Sequence, residues 1–213
     1  MSIQTSSKIA ETLEEFLKGF RDKTGQLKYR ARISSMIQTD SRSIIIDYND
    51  VLEYDIEIAN MLISDPDRIL TPFNNSAYQI LKNEAATLAE RIRSTIRVRI
   101  RDIPEVVPLR EINSEHLNKF VAITGMAVRT SELKPQALEA AFKCRKCGNI
   151  TIEIQEAVAL VQPQRCGECG EVKSFDLDDK ETTFIDYQVI RLQELPEELP
   201  PGQPPQSYDV DLT

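Results

Sequence analysis

The sequence predicts an α+β protein, with a helical first part, a strand-rich second part and a metal-stabilised ribbon within the second part. Apolar residues recur at helical spacing up to about residue 93, and apolar and charged residues alternate with period two from residue 96. All four cysteines lie in two short C-x2-C pieces, which is typical of a zinc ribbon. With 213 residues, the chain is long enough for one or two domains that each have a core.

Three helices are predicted in the first part. The first covers residues 6–20, and its apolar face consists of Ile9, Leu13, Phe16, Leu17 and Phe20. A short strand at residues 44–46 then leads into a second helix over residues 51–63, which ends before Pro66. Its predicted buried face consists of Leu52, Ile56, Ala59 and Ile63. A third helix is predicted from Phe73 to about residue 93.

Strands are predicted for most of the remaining chain. From Ile96 to residue 101, apolar residues alternate with arginines, as in a half-buried strand. The other predicted elements are a short helix at 114–119, strands at 120–129, 151–154, 157–161 and 183–193, and an extended Pro- and Glu-rich loop at 195–205.

The net charge of the chain limits which kinds of molecule it is expected to bind. The net charge is −8, from 34 acidic and 26 basic residues, which argues against a surface that is basic all over. A local basic groove remains compatible with this balance, because phosphate binding depends on where the charges lie. No apolar run reaches the length of a membrane span, and the first residues lack the apolar centre of a signal peptide. We therefore expect no membrane partner and a cytoplasmic or nuclear location.

The four cysteines predict one structural zinc ion per chain. Cys144 and Cys147 form one C-x2-C pair, and Cys166 and Cys169 form the second after a spacer of eighteen residues. Two such turns can each supply two thiolates to a tetrahedral site, and zinc suits four sulfur ligands. Because four protein ligands fill the coordination shell, no position is left for a reactive water. The zinc is thus expected to support the fold rather than catalyse a reaction.

Other functions of the four cysteines fit the sequence less well than a structural zinc site. A redox dithiol is the main rival, but two matched pairs at ribbon spacing argue against it. A catalytic zinc fits even less well, because it needs an open position. His116 is the only histidine in the chain, and a saturated site does not need it, so we expect it to have a structural role.

Two further blocks of sequence resemble a known family. Residues 110–135 (REINSEHLNKFVAITGMAVRTSELKP) and residues 184–203 (FIDYQVIRLQELPEELPPGQ) lie on either side of the cysteine ribbon. In this order, the three pieces resemble the N-terminal region of minichromosome maintenance (MCM) replicative helicases. The resemblance is strong over residues 97–211 and looser over the helical start. An archaeal origin is expected, because one MCM type without specialised tails is typical of archaeal homo-oligomers.

The resemblance implies a fold and a set of partners. It implies a helical subdomain at residues 1–103, an OB-fold barrel in two parts at 104–140 and 175–213, and an inserted zinc ribbon at 141–174. Relatives bind single-stranded DNA, and double-stranded DNA is a further expected ligand. They assemble as homo-hexamers or double hexamers, and they continue into an ATPase domain of the AAA+ type.

The resemblance leaves the enzymatic status of this chain open. The sequence contains no G-x-x-x-x-G-K-[ST] phosphate loop, so we expect no catalytic residue here, and ATP with Mg²⁺ only in the ATPase domain of full-length relatives. The sequence also stops at Thr213, where the family's barrel still has strands to add. We therefore expect a truncated barrel.

Basic residues on the barrel are the predicted DNA ligands. On the MCM resemblance, Arg129, Lys134 and Arg191 match basic positions that relatives use to bind a single strand. Additional DNA-binding candidates around the first cysteine pair are Lys143, Arg145 and Lys146. The alternative is that all of these are solvated surface charges.

Two other features of the sequence are predicted to be structural. The stripe of Arg97, Arg99 and Arg101 is expected to pair with helical carboxylates such as Glu84, although it could also line a channel. An isolated aromatic residue on a strand, such as Tyr187, is more often part of a core than a stacking platform for a base.

The leading functional hypothesis is single-stranded DNA binding and ring assembly in a replicative helicase. The main alternative is a protein–protein interaction module, in which the ribbon mediates oligomerisation with little DNA affinity. A zinc-ribbon and OB-fold protein of transcription or translation is a third class, which the block PEELPPG argues against. A redox enzyme comes last.

Overall fold

A computed structural model describes residues 3–39, 41–92, 96–155 and 159–213. The chain divides into two compact units, Met1–Thr124 and Gly125–Thr213, each with its own set of contacts. The α+β class is confirmed, with helices concentrated in the first unit and a mostly antiparallel sheet in the second. Among the described residues, no helix is both long enough and apolar enough to span a membrane.

The first unit is built mainly from helices. Its helices are α1 (Ile3–Gly19), α2 (Lys28–Thr39), α3 (Tyr48–Tyr54), α4 (Ile56–Ser64), α5 (Pro66–Glu84) and α6 (Ala86–Ile92). Its strands are β1 (Ser43–Asp47), β2 (Arg97–Arg101), β3 (Val106–Pro108) and β4 (Ala122–Thr124). Strand β1 pairs in parallel with β2, and β3 pairs in parallel with β4.

The apolar face predicted for the first helix is confirmed. Four of its five residues are buried and Phe20 is half-buried. Phe16 lies at the centre of an aromatic cluster, with its ring centroid 4.9 Å from that of Tyr29 and 6.0 Å from that of Phe73. Helix α2 was not predicted, although its buried Tyr29, Ile33 and Met36 recur at helical spacing. Its two arginines, two serines and threonine obscured that signal.

The single helix predicted over residues 51–63 is wrong, because the chain breaks at Asp55. This residue is extended (φ −153°, ψ 111°) and ends α3, while its carboxylate accepts hydrogen bonds from the Glu57 and Ile58 amides to begin α4. The break turns the two helices to different faces, so Leu52 and Ile56 are exposed although they were predicted to be buried.

The third predicted helix starts earlier and is also divided. Helix α5 begins at Pro66 and continues through Pro72, because its buried face keeps it packed in the core. Ala85 has a non-helical backbone (φ −149°, ψ 76°) and separates α5 from α6. Alanine favours helices, so the local sequence contains no stop signal at this position. The predicted end at residue 93 lies outside the described residues.

A buried carboxylate links four elements of the first unit. Asp47, at the end of β1, is 6% exposed and pairs with Lys28 at 2.7 Å and with Arg32 at 3.2 Å, both from α2. Arg101 from β2 also binds Asp47, so this arginine of the stripe does pair with a carboxylate. The predicted carboxylate Glu84 instead binds Arg30 and Ser34. Tyr29 donates a hydrogen bond to Asp50 of α3 and accepts one from the Asp47 amide.

The second unit is a sheet organised around two long strands. Its strands are β5 (Met126–Thr130), β6 (Lys134–Cys144), β7 (Ile150–Ile154), β8 (Phe175–Leu177), β9 (Thr183–Gln193) and β10 (Ser207–Leu212). Strand β9 pairs antiparallel with β5, β6 and β10, and β6 also pairs antiparallel with β7 and β8.

Several strand predictions are confirmed and others need correction. The strands at 96–101, 151–154 and 183–193 match β2, β7 and β9. The strand at 120–129 is divided at Gly125 into β4 and β5, which have different partners. Ala157, the first residue of the strand predicted at 157–161, lies outside the described residues, and the described residues 159–161 form no strand. The helix predicted at 114–119 is only a 3-10 turn, Ser114–His116.

Replacing Asp47 with asparagine is expected to destabilise the first unit. Burial of Asp47 opposes its charge, but the hydrogen bonds from Arg101 and Lys28 outweigh this effect and lower its pKa to about 2. Compared with the ordinary value of 3.8, this shift corresponds to roughly 2 kcal/mol of unfolding free energy at neutral pH. Urea unfolding followed by circular dichroism should show a loss of about this size in Asp47→Asn at pH 7.

The same substitution should also change the pH dependence. Because the folded pKa of Asp47 is below the unfolded one, its contribution is complete above about pH 4 and is lost as the pH falls towards 2. The difference between wild type and Asp47→Asn should therefore shrink in acid. Asp65→Asn is the matched control, since Asp65 is exposed and makes no capping hydrogen bond. Equal stability of wild type and Asp47→Asn at pH 7 would contradict a stabilising role for the cluster.

Candidate metal centre and basic groove

The four cysteines sit on two turns of matching geometry. In the first, the Gly148 amide donates to the Cys144 carbonyl at 2.9 Å, and the Cys144 amide donates to the Asn149 carbonyl at 2.8 Å. In the second, the Gly170 amide donates to the Cys166 carbonyl at 3.0 Å. Gly148 and Gly170 have φ values of 76° and 70°, a region that favours glycine. The glycines therefore allow both turns to close tightly around their sulfurs.

The sulfur positions fit a tetrahedral metal. Cys144 Sγ lies 3.6 Å from Cys169 Sγ, and Cys147 Sγ lies 3.6 Å from Cys166 Sγ. All four sulfurs lie within 4.8 Å of one another. Zn–S bonds of about 2.3 Å in a tetrahedron would place the sulfurs about 3.8 Å apart. The four cysteines are thus close enough to bind one metal ion, and the site is compatible with structural zinc.

Backbone amides favour the thiolate form at the first position of each turn. Hydrogen bonds from the Cys169 and Glu168 amides lower the pKa of Cys166 to about 6. Hydrogen bonds from the Cys147 and Lys146 amides lower the pKa of Cys144 in the same way. Despite a backbone hydrogen bond to each, burial and the neighbouring sulfurs raise the pKa of Cys147 to about 12 and also raise that of Cys169. Because the thiolate is the metal-binding form of cysteine, each turn thus offers one sulfur that is predisposed to bind a metal.

A small core supports the two turns. The buried residues that pack around Cys144 and Cys166 are Ala137, Ala140, Phe142 and Phe175. This cluster is much smaller than the core of the helical unit, and it includes two of the metal ligands. A core of this size gives little stability by itself, so a bound metal would contribute much of the free energy of folding of the ribbon.

Two of the three candidate basic residues at the ribbon form ion pairs. Arg145 Nε lies 2.9 Å from Asp176 Oδ1, and Lys146 Nζ lies 2.9 Å from Glu171 Oε2. Lys143 is exposed and makes no ion pair with any described residue. These three residues do not line the groove described next.

The structure brings Arg129, Lys134 and Arg191 together. They line one groove of about 430 Å³, although they come from the three strands β5, β6 and β9. All three side chains are exposed. Within the described parts of the chain, Arg129 and Lys134 make no ion pair, which leaves their charges available to an anion.

Ser131 holds the turn between β5 and β6 against β9. Its amide donates to the Val189 carbonyl at 2.8 Å, and its hydroxyl accepts from the Val189 amide at 3.0 Å. The Gln188 side chain donates to the Ser131 carbonyl at 2.9 Å. This anchoring fixes the positions of Arg129 and Lys134 on either side of the turn.

Two arginines face each other across neighbouring strands. Arg129 of β5 and Arg191 of β9 are cross-strand partners, an arrangement that is unfavourable for like charges. Asp209 of β10 relieves it, since its carboxylate oxygens accept two hydrogen bonds of 2.7 Å from Arg191. Arg191 in turn lowers the pKa of Asp209. With Glu132 also in its lining, the groove contains three cations and two carboxylates, an excess of one positive charge.

Some groove residues were not recognised from the sequence. Ser131, Glu132, Val189 and Asp209 line the groove, but only the pairing of β10 with β9 brings Asp209 opposite Arg191. A signal existed in the alternating segment YDVDL, which has the period of a strand.

His116 has the structural role expected of it, because its Nδ1 accepts a hydrogen bond from the Asn113 amide at 3.2 Å.

Comparison with known proteins identifies two domains. The MCM N-terminal domain matches residues 10–102, and the MCM OB domain matches residues 108–213. The chain belongs to the MCM family. The resemblance noted in the sequence and the expected fold class are therefore confirmed.

MCM relatives come from both eukaryotes and archaea. The DNA replication licensing factor Mcm2 of Drosophila melanogaster is 31% identical over 97% of this chain and 23% of its own length. The minichromosome maintenance protein MCM of Saccharolobus solfataricus is 30% identical over 93% of this chain and 29% of its own length. This MCM chain thus spans about a quarter of the length of these relatives. The expected archaeal origin stays a prediction.

Replacing Asp209 with asparagine is expected to strengthen anion binding by this MCM chain. The change frees Arg191 and removes a negative charge from the groove, so affinity for a labelled single-stranded oligonucleotide should rise about two- to fivefold. Fluorescence anisotropy measures this affinity. Asp179→Asn is the control with the same charge change, because Asp179 is exposed and lies outside the groove. An equal gain in both variants would indicate a general charge effect only.

Proposed function

We propose that this chain binds single-stranded DNA and contributes to ring assembly as the N-terminal region of an ATP-dependent MCM replicative helicase. The observation that carries this proposal is the convergence of Arg129, Lys134 and Arg191 in one groove. The sequence resemblance singled out the same three residues. Two of them, Lys134 and Arg191, are 57 positions apart in the sequence.

The electrostatics of the groove support a phosphate ligand. The unit is part of an acidic chain of net charge −8, yet it places two arginines side by side and a lysine next to them. Asp209 relieves only part of the repulsion among these cations, and a bound anion would reduce it further. A strand of phosphates is an extended anion that a groove of this shape can follow, as in other single-strand-binding proteins.

The remaining parts of the proposal follow from the family. Double-stranded DNA is a further proposed ligand, and the proposed assembly is a homo-hexamer or double hexamer in the nucleus or cytoplasm. ATP and Mg²⁺ would bind only to an ATPase domain of the full-length protein. The subdomain boundaries at 103/104, 140/141 and 174/175 also stay proposals.

Removing two of the cations tests the groove. In Arg129→Ala/Lys134→Ala, affinity for a labelled single strand should fall on the order of tenfold at low salt. The slope of log K against log salt should decrease by about 0.7 for each lost phosphate contact. Lys23→Ala/Lys180→Ala removes the same charge from exposed positions outside the groove, and it should bind nearly as wild type. Unchanged affinity and slope in the groove variant would reject this DNA site.

The proposed metal is one structural Zn²⁺ bound by Cys144, Cys147, Cys166 and Cys169. When bound, it would supply folding free energy to the ribbon and no reactive water, since four sulfurs fill its shell. The donor set and the sulfur spacing support this assignment.

Removing one cysteine sulfur tests whether zinc binding and DNA binding are separate properties of the chain. Elemental analysis should give about one zinc per wild-type chain and almost none for Cys144→Ser. Lys143→Ala changes the neighbouring exposed residue and should keep its zinc. If the Cys144→Ser protein still binds single-stranded DNA as a monomer, the groove is the DNA site. If it loses DNA binding while the strands stay folded, the ribbon itself contacts DNA.

A second candidate function is supported by an exposed apolar face on the ribbon. Ile150, Ile152 and Ile154 of β7 are 43%, 60% and 73% exposed. Apolar side chains in a row on a strand are typical of protein–protein contacts. The ribbon would then mediate oligomerisation, with little contribution from DNA.

Changing this face distinguishes the two candidates. Ile152→Thr keeps the strand propensity of β7 and removes apolar surface, so it should lower the average mass in light scattering if the face joins protomers. DNA affinity of the monomer should stay as in wild type. Thr151→Val is the control on the opposite face of β7. An unchanged mass for Ile152→Thr would remove this face from the assembly.

A further inference from the structure

A second cavity continues from the basic groove. Its volume is about 290 Å³, and it shares Ser131, Lys134 and Val189 with the groove. The additional lining residues are Pro135, Gln136, Ala137, Gln155, Leu160, Phe184 and Tyr187. The cation cluster is thus followed directly by a mainly apolar pocket, near the lower end of the usual range of about 300–1,000 Å³ for small-molecule sites.

Two aromatic side chains line this cavity instead of filling a core. Phe184 is 36% exposed and Tyr187 is half-buried, although both belong to the central strand β9. The Tyr187 hydroxyl donates to Asp211 of β10 at 3.0 Å, which fixes the orientation of the ring. Tyr187 is also the cross-strand partner of Lys134, so an aromatic ring lies beside a groove cation. The sequence had favoured a core position for Tyr187.

The polar groups of the cavity differ in their hydrogen bonding. The Gln155 side chain is fixed, because its Nε2 donates to the Val161 carbonyl at 3.0 Å and its Oε1 accepts from the Val161 amide at 2.7 Å. The Gln136 Oε1 atom has no hydrogen-bond donor within the described ranges. Buried carbonyl oxygens are seldom left without a donor. An N–H group of a ligand in this cavity would supply one.

We propose that this cavity binds one unpaired nucleobase of the DNA strand whose phosphates lie in the basic groove. This inference rests on the proposed function. A nucleotide joins an anionic phosphate to a flat ring that stacks on aromatic side chains, and the two adjoining cavities present cations and aromatic rings in the same order. Every nucleobase also carries an N–H on its Watson–Crick edge, which suits Gln136 Oε1.

An abasic strand separates base binding from phosphate binding. The 213-residue chain is titrated with a labelled oligothymidine and with a labelled abasic strand of the same length, using fluorescence anisotropy. Wild type should bind the oligothymidine on the order of tenfold more tightly, because stacking depends on the base. In Tyr187→Leu this ratio should fall towards one, with abasic binding unchanged. Tyr187→Phe keeps the ring and should keep the ratio.

Each other outcome overturns the inference in a recognisable way. Equal affinity of wild type for both strands would reject the base pocket and leave the proposed phosphate groove intact. If Arg129→Ala/Lys134→Ala bound both strands as tightly as wild type does, the proposed function would be rejected instead. A changed mass in light scattering for Tyr187→Leu, with an unchanged ratio, would assign the cavity to a protein contact. Should Tyr187→Leu fail to fold, Phe184→Leu provides the same test.

Discussion

The pairing of β6 with β9 is the constraint on which both sites of the second unit depend. At one end of β6, Lys134 lies opposite Tyr187 and next to the two arginines of the groove. The pairing with β9 continues, with an irregularity between Ala137 and Glu139, as far as Glu139. From there β6 pairs with β7 and β8, and it ends at Cys144. One strand of eleven residues therefore carries a groove cation at its start and a metal ligand at its end.

This arrangement allows the two cysteine turns to lie between β6 and β9 in the chain without disturbing the proposed binding surface. The chain leaves the groove along β6, forms the two cysteine turns and returns through β8 to β9. A metal at the cysteines would hold the far end of β6, where the apolar core is small. The surface near Lys134 is held separately, by the hydrogen bonds of Ser131 to β9. The candidate metal centre and the proposed DNA-binding groove thus lie at opposite ends of the same strand.

Sequence reasoning succeeded where local pattern and tertiary environment agree. Strand β9 has alternating apolar residues, and the cysteine spacing defines the ribbon with few alternatives. Strand β6 was missed because its segment ALEAAFK contains residues that favour helices, and only pairing with three other strands holds it extended. The break at Asp55 was missed because apolar periodicity continues through it, although Asp before an apolar run is a common helix start.

The site could be predicted only in part for a related reason. Arg129, Lys134 and Arg191 were found by resemblance to a family, whereas the carboxylate of Asp209 depends on the register of β10 against β9. The aromatic cavity depends on which side chains of β9 the neighbouring strands leave uncovered. Register and coverage are tertiary properties, so no local pattern specifies them.

Photo-crosslinking tests most directly the claim that single-stranded DNA lies in the groove rather than on the ribbon. The chain would be irradiated with a single strand that contains 4-thiothymidine, and the crosslinked peptides would be identified by mass spectrometry. We expect crosslinks within Arg129–Lys134 and Phe184–Arg191, which contain residues that line the groove and the adjoining cavity. Crosslinks confined to the ribbon peptides that contain Lys143, Arg145 and Lys146 would contradict it.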